Sequence, residues 1–110
     1  MPGQDKVRNG VRFMGVKHGR EYADILADLM AAVAQIPDCY EFFEMTAEEW
    51  ERLGEGERKE VLEALADDVF YGLGQDKIIQ VGSAEVTYDS NFHLIDVSIG
   101  ENIVAMIRLT

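Results

Sequence analysis

The residues with the most versatile chemistry are few in this sequence. Cys39 is the only cysteine, and His18 and His93 are the only histidines, among 110 residues. A thiol nucleophile needs a neighbouring base, so Cys39 with either histidine is the one candidate pair for nucleophilic catalysis. Neither partner lies in a nucleophile-elbow motif. The sequence therefore favours a protein that is not an enzyme, and we predict no catalytic residue.

Metal and phosphate sites also lack their usual signatures. A single cysteine excludes CxxC zinc and redox motifs, and two histidines are too few for a His-rich site. No EF-hand spacing is present. The segment Gly72-Leu73-Gly74 ends a predicted helix and precedes a strand, whereas phosphate-binding loops precede helices. We predict no bound metal and no cofactor.

Carboxylates supply the remaining candidates, and the first group is Asp67, Asp68 and Tyr71. The two aspartates fall in the last turns of a predicted helix, where they oppose the negative end of the helix dipole. Glu63, one turn earlier, adds repulsion. Pairing with Lys77 or Arg58, or simple solvation, would neutralise this arrangement. The alternative is an acidic contact patch for a basic partner.

A second acidic pair is predicted in the sheet. Period-two alternation places Glu85 directly across from Asp96 on one face, where like charges destabilise a strand pair. Arg108, facing Leu94, is the candidate to neutralise them. The pair otherwise predicts a site for a cation or for a basic side chain of a partner.

The same sheet face is also unusually apolar. It is predicted to carry Ile78, Leu94, Val104 and Met106, with Phe92 at its edge, although a solvated face should be polar. Three covers are possible: the segment around Phe13, a second copy of the chain, or a ligand. We favour the first two, and these four residues are the predicted interface of a homodimer.

The net charge of −11 limits the class of partner. Nucleic acids and anionic membranes are excluded as expected partners, because phosphate binding needs clusters of lysine and arginine. Five of the ten basic residues lie in the first 20 positions: Lys6, Arg8, Arg12, Lys17 and Arg20. This basic arm could fold back on the acidic body or reach a neighbour. Alternatively, the acidic charge serves only solubility.

Two to three amphipathic helices must position the acidic residues on the helical side. Apolar residues step by three and four between Arg20 and Pro37, which predicts one helix. Thr46 and Glu49 form a capping box that predicts a second helix start. A longer helix is expected from about Glu57 to Gly72, after the break at Gly54–Gly56.

Four alternating runs complete the chain and predict strands at 77–81, 84–88, 93–99 and 103–109. Gly82-Ser83 suits a two-residue hairpin loop. With helices first and strands last, the sequence predicts a single α+β domain, a two-layer sandwich with an antiparallel β-meander. Residues 1–10 are expected to be a flexible arm, and residues 11–16 a short edge strand.

Taken together, these features predict a non-enzymatic acidic interaction protein, a regulator or inhibitor of a basic protein partner. One alternative is a homo-oligomeric module without a defined role. Another is a small-molecule binder or minor enzyme with a pocket between helices and sheet, lined by Cys39, Tyr88 and His93. The single cysteine and the polar N-terminus predict a cytoplasmic protein with no membrane partner.

Overall fold

A computed structural model describes residues 16–110, and it confirms the predicted α+β fold. Three α-helices precede four β-strands, and a short 3-10 helix, Cys39–Phe43, separates the first two α-helices. The helices are α1 (Tyr22–Val33), α2 (Ala47–Arg52) and α3 (Glu55–Gly72). The strands are β1 (Ile78–Val81), β2 (Ala84–Asp89), β3 (Leu94–Ile99) and β4 (Asn102–Arg108). The edge strand expected at residues 11–16 lies outside the described residues except for Val16, which is buried and not in a strand.

The helix starts follow from local capping. Thr46 Oγ1 accepts a hydrogen bond from the Glu49 amide at 3.1 Å, and Glu49 Oε1 accepts one from the Thr46 amide at 2.8 Å. This reciprocal pair is the predicted capping box, and α2 begins directly after it. The third helix begins at Glu55 rather than Glu57, because Glu57 Oε1 caps the Gly54 amide at 2.9 Å.

The four strands form an antiparallel meander in the order β1-β2-β3-β4. Alternate residues of β2 and β3, including Val86, Ile95 and Val97, are fully buried and form the inner face of the sheet. Helices α1 and α3 supply the opposing apolar surface, with Leu29 and Phe70 among its largest buried side chains. One face of the sheet is therefore covered by helices, and the other, here called the outer face, is not covered by them.

The register between β2 and β3 differs from the predicted one. Glu85 pairs with Ser98, and Asp96 pairs with Thr87, so the expected Glu85–Asp96 pair is not formed. The connection is a turn that leaves Asp89 opposite Leu94, with His93 in the left-handed region at φ 56°. Asp89 Oδ1 accepts hydrogen bonds from the amides of Asn91 and Phe92, which fixes this turn. Glu85 and Asp96 still share the outer face.

A β-bulge in β4 makes a second prediction wrong. Val97 pairs with Ala105 but Ser98 pairs with Ile103, so one residue of β4 is left over between them. The extra residue reverses the alternation on its N-terminal side. As a result Val104, predicted for the outer face, is partly buried against the core. Ile103, which strict alternation with Val104 would place on the core side, is 58% exposed.

The helical layer is joined to the sheet by a side-chain clamp at the β1–β2 turn. Asp38 Oδ1 accepts hydrogen bonds from the amide and the hydroxyl of Ser83, both at 2.9 Å. These hydrogen bonds, the one from the Ser83 amide above all, hold the pKa of Asp38 below its usual value. Gly82 has φ 56° and lies against Asp38, where a side chain would collide with the Asp38 carbonyl oxygen. Within residues 16–110, no helix is long and apolar enough to cross a membrane.

Candidate protein-interaction surface

The fold separates the predicted partner-binding residues into two groups. Asp67, Asp68 and Tyr71 belong to α3, on the helical side of the sheet. Glu85 and Asp96 belong to the outer face, because their neighbours Val86 and Val97 point into the core. The two groups lie on opposite sides of the sheet, so the five residues cannot form one contact patch.

Asp67 has a partner that the sequence did not reveal. The Tyr22 hydroxyl of α1 donates a hydrogen bond to Asp67 Oδ1, which links α1 to α3. Burial, followed by the hydrogen bond and charge of Asp67, raises the pKa of Tyr22. The Tyr22 ring also packs edge-on against Phe70, with ring centres 5.0 Å apart. The aspartate that opposes the helix dipole is therefore a helix-packing residue.

Asp68 and Tyr71 remain at the surface of α3. The Tyr71 side chain is 43% exposed, and its ring contacts Phe70 and Tyr22. Arg58, a predicted partner for these aspartates, instead lies over the Trp50 ring and donates to the Trp50 carbonyl at 3.1 Å. Within the part of the chain that the structure describes, Asp68 accepts no hydrogen bond from Lys77 or Arg58.

A single row of residues crosses the outer face and combines acidic and apolar character. The pairings Ile78–Thr87, Thr87–Asp96 and Asp96–Met106 place these four residues side by side on the four strands. Ile78 is 57% exposed and Met106 is 58% exposed. Asp96 is thus an acidic centre between two exposed apolar edges.

The carboxylate of Asp96 is incompletely satisfied. Its Oδ1 is buried from solvent and, among residues 16–110, has no hydrogen-bond partner. Burial and the neighbouring charge of Asp89 both raise the pKa of Asp96. Buried polar atoms are normally hydrogen-bonded, so the unpaired oxygen adds to the cost of ionising Asp96, a residue that is itself only partly buried.

Arg108 does not neutralise Asp96 in the way that the sequence suggested. It lies opposite Leu94, as predicted, and is therefore diagonal to Asp96. Among the described residues, the ion pairs are Arg20–Asp28 and Arg58–Glu51, and neither involves Arg108. The outer face consequently carries Glu85, Asp89 and Asp96 against one arginine.

The predicted apolar interface is only partly retained on this face. Ile78 and Met106 are exposed, and Leu94 is half-buried on the same side. Val104 is withdrawn towards the core by the bulge, and Ile103 takes its place. Phe92, in the β2–β3 turn, is 72% exposed at the edge of the sheet. No feature of the sequence pattern marked the bulge, since both residues are apolar.

Cys39 does not lie beside either of the two histidines that were considered with it for catalysis. Cys39 is buried beside the β1–β2 turn, where its neighbour Asp38 binds Ser83, and burial raises its thiol pKa. His93 lies in the β2–β3 turn, at the other end of β2, which is about 20 Å long. His93 and His18 line one small surface depression near Gly19, away from the thiol. A shared pocket of Cys39, Tyr88 and His93 is not formed.

In the described part of the chain, no group of three or more histidine, cysteine, aspartate or glutamate residues could hold a metal ion. Comparison with protein-family models, with curated proteins and with solved structures found no significant match. A function for this chain is therefore inferred from its own surface chemistry.

The Tyr22–Asp67 contact predicts an effect on stability. Tyr22→Phe removes the hydroxyl donor and leaves a partly buried carboxylate, so the free energy of unfolding should fall by about 1–2 kcal/mol. Asp68→Asn, on the adjacent exposed aspartate, should change it by less than about 0.5 kcal/mol. Urea unfolding followed by circular dichroism measures both. Equal stability of Tyr22→Phe and the unmodified chain would show that the hydrogen bond contributes nothing.

The contribution of Asp96 to folding stability should change with pH in the opposite direction to that of a salt-bridged carboxylate. Because its pKa is raised on folding, the folded state binds more protons, and its ionisation costs stability as the pH rises through that pKa. Asp96→Asn should therefore raise the melting temperature at pH 7, and this gain should shrink towards pH 4. Thermal unfolding at both pH values measures it. A lower melting temperature for the variant at pH 7 would show that the charged carboxylate is stabilised.

Proposed function

We propose that this protein is a non-enzymatic interaction module whose outer face binds a basic, partly apolar segment of a partner protein. The observation that carries the proposal is the incompletely hydrogen-bonded carboxylate of the partly exposed Asp96, in a row that ends in the exposed side chains of Ile78 and Met106. A regulator or inhibitor of a basic protein needs such a surface. A cytoplasmic location belongs to the same proposal and is supported by the single cysteine, which is free and buried.

An arginine of the partner would supply a positive charge and hydrogen-bond donors to this acidic surface. Its guanidinium can pair with the partly exposed Asp96 carboxylate, and its aliphatic stem can pack against Met106 or Ile78. A charge-assisted hydrogen bond in a partly desolvated position is stronger than the same contact in water. The apolar edges would exclude water around it, which is the usual anatomy of an energetically important contact.

The charge of the outer face favours a basic partner over a second copy of the chain. Among residues 16–110, the strands place Glu85, Asp89 and Asp96 on this face with one arginine, Arg108, so a face-to-face pair would bring acidic surfaces together. The whole chain carries a net charge of −11, which adds long-range repulsion between copies and attraction for a cationic protein. Binding should be faster and tighter at low ionic strength.

A synthetic probe tests the proposal without a known partner. We expect a fluorescein-labelled twelve-residue peptide of alternating arginine and leucine to bind the full chain in fluorescence anisotropy titrations. The double variant Glu85→Gln/Asp96→Asn should raise its Kd at least tenfold. The control Glu41→Gln/Glu48→Gln removes the same charge from exposed helical positions and should change Kd less than twofold.

The two variants separate a specific surface from general acidity. A loss confined to Glu85→Gln/Asp96→Asn, together with proton release on binding near the Asp96 pKa, supports the outer face as the site. Equal weakening by both variants would contradict the proposal, because net charge alone would then explain the affinity. Circular dichroism spectra confirm that each variant is folded.

A homodimer formed through the outer face is the second candidate, and the exposure of Ile78 and Met106 favours it. Leu94 and Ile103 would extend that interface, whereas Val104 packs against the core.

The dimer makes a separate prediction. Gel filtration with light scattering at 0.5 M salt, where repulsion is screened, should then give twice the chain mass, and Met106→Asp should reduce it to the monomer mass. Thr87→Asp, which places the same charge in the same row two strands from Met106, should also reduce the mass to that of the monomer. A monomer mass at both low and high salt would rule out the dimer.

A further inference from the structure

A second surface, on the helical side, has the form of a helix-binding groove. Along the exposed side of α3, a trough of about 490 Å³ is lined by Phe43, Met45, Leu53, Glu57, Glu60, Val61 and Ala64. A second trough of about 420 Å³ shares Glu60 and Ala64 with the first. It continues towards α1 through Tyr22, Leu26, Glu63 and Asp67. The two troughs together are called the α3 groove.

The floor of the α3 groove is apolar and has a small residue at its centre. Phe43, Met45 and Val61 are half-buried on one side, and Leu26 is half-buried on the other. Ala64 and Glu60 line both troughs and are exposed, and of the two only Glu60 has a long side chain. A small residue at position 64 allows the backbone of another helix to approach α3 closely.

The α3 side of the groove is acidic. Glu57, Glu60, Glu63 and Asp67, all on α3, line the two troughs, and among residues 16–110 no lysine or arginine lines either of them. These positions succeed one another at helical spacing, so the carboxylates run beside the apolar floor for about 15 Å, the rise of ten helical residues. An occupant must bury apolar side chains and present cationic ones at the edges.

We propose that the α3 groove binds an amphipathic, cationic helix of about three turns from a partner protein. Helices dock into such grooves through apolar residues at positions i, i+3 or i+4, and i+7. Lysine or arginine on the flanks of that stripe would face Glu60 and Glu63. Among residues 16–110 no helix of a second copy is cationic, because α1 has two carboxylates and no basic residue, and carboxylates outnumber basic residues in α2 and α3.

This groove is independent of the outer face, because the sheet lies between them. The module can therefore hold a helical segment on one side and a basic segment on the other at the same time. Occupation of both by one partner would raise the overall affinity through effective concentration. Each surface can also fail a test without affecting the other.

Two labelled fourteen-residue peptides of leucine and lysine, identical in composition, test the α3 groove. In one, the leucines have helical spacing, and in the other leucine and lysine alternate. We expect the helical peptide to bind the Glu85→Gln/Asp96→Asn chain, whose outer face no longer favours the alternating peptide, at least tenfold more tightly in anisotropy titrations at 0.15 M salt. Equal affinities would overturn the proposal, since charge and composition would then suffice.

Protein variants locate the binding. Ala64→Trp fills the centre of the groove and should raise the Kd of the helical peptide at least tenfold, whereas Ala31→Trp, at an exposed position of α1 outside both troughs, should leave it within twofold. Glu60→Gln/Glu63→Gln should weaken binding about tenfold, and Glu41→Gln/Glu48→Gln less than twofold. Equal effects of the paired variants would overturn the assignment.

The remaining outcomes concern other occupants and the outer face. If Lys6→Gln/Arg8→Gln/Arg12→Gln tightens binding of the helical peptide tenfold, the chain's own first residues compete for the groove, and an external helix is not its occupant. If Ala64→Trp halves the molecular mass, the groove is a contact between copies, which also overturns the proposal. Glu85→Gln/Asp96→Asn should leave the Kd of the helical peptide unchanged, so this test does not depend on the outer face.

Discussion

Burial of one face of the sheet beneath α1 and α3 is the constraint on which the rest of the molecule depends. Phe70, Leu29 and the inner residues of β2 and β3 are withdrawn almost completely from water. Each large aliphatic or aromatic side chain buried in this way contributes about 1.5–3 kcal/mol. Since successive residues of a strand point to opposite sides, this burial also decides which side chains form the outer face.

The position of the acidic residues follows from that division. A chain with 21 carboxylates and 10 basic side chains cannot pair its acids internally, so most must lie at the surface. Two of them join elements far apart in the chain: Asp38 ties the hairpin turn to the helical layer, and Asp67 accepts from Tyr22 across the α1–α3 contact. The outer face and the α3 groove contain carboxylates beside exposed apolar groups, a combination that suits binding better than solubility alone.

The two surfaces differ in how their chemistry arises. On the outer face, Asp96 is desolvated by its neighbours, and its raised pKa records the cost of holding a charge there without a donor. In the α3 groove, Glu60 and Glu63 are exposed and the affinity for a partner would come from the apolar floor, with charge giving orientation. Binding to the outer face would therefore depend on the pairing of one carboxylate, and binding to the α3 groove on the shape of its apolar floor.

The sequence by itself determined the fold class, the order of elements and the features with short-range causes. The capping box at Thr46 joins residues three apart, and the hairpin at Gly82-Ser83 is fixed by two, so both could be predicted. The tertiary structure alone decided the β2–β3 register, the bulge that exchanges Ile103 for Val104, and the Tyr22 partner of Asp67. These depend on turn conformation and on contacts between residues far apart in the chain, which hydrophobic alternation does not encode. A register shift of two residues, as between β2 and β3, leaves every side chain on the same face and so preserves the pattern.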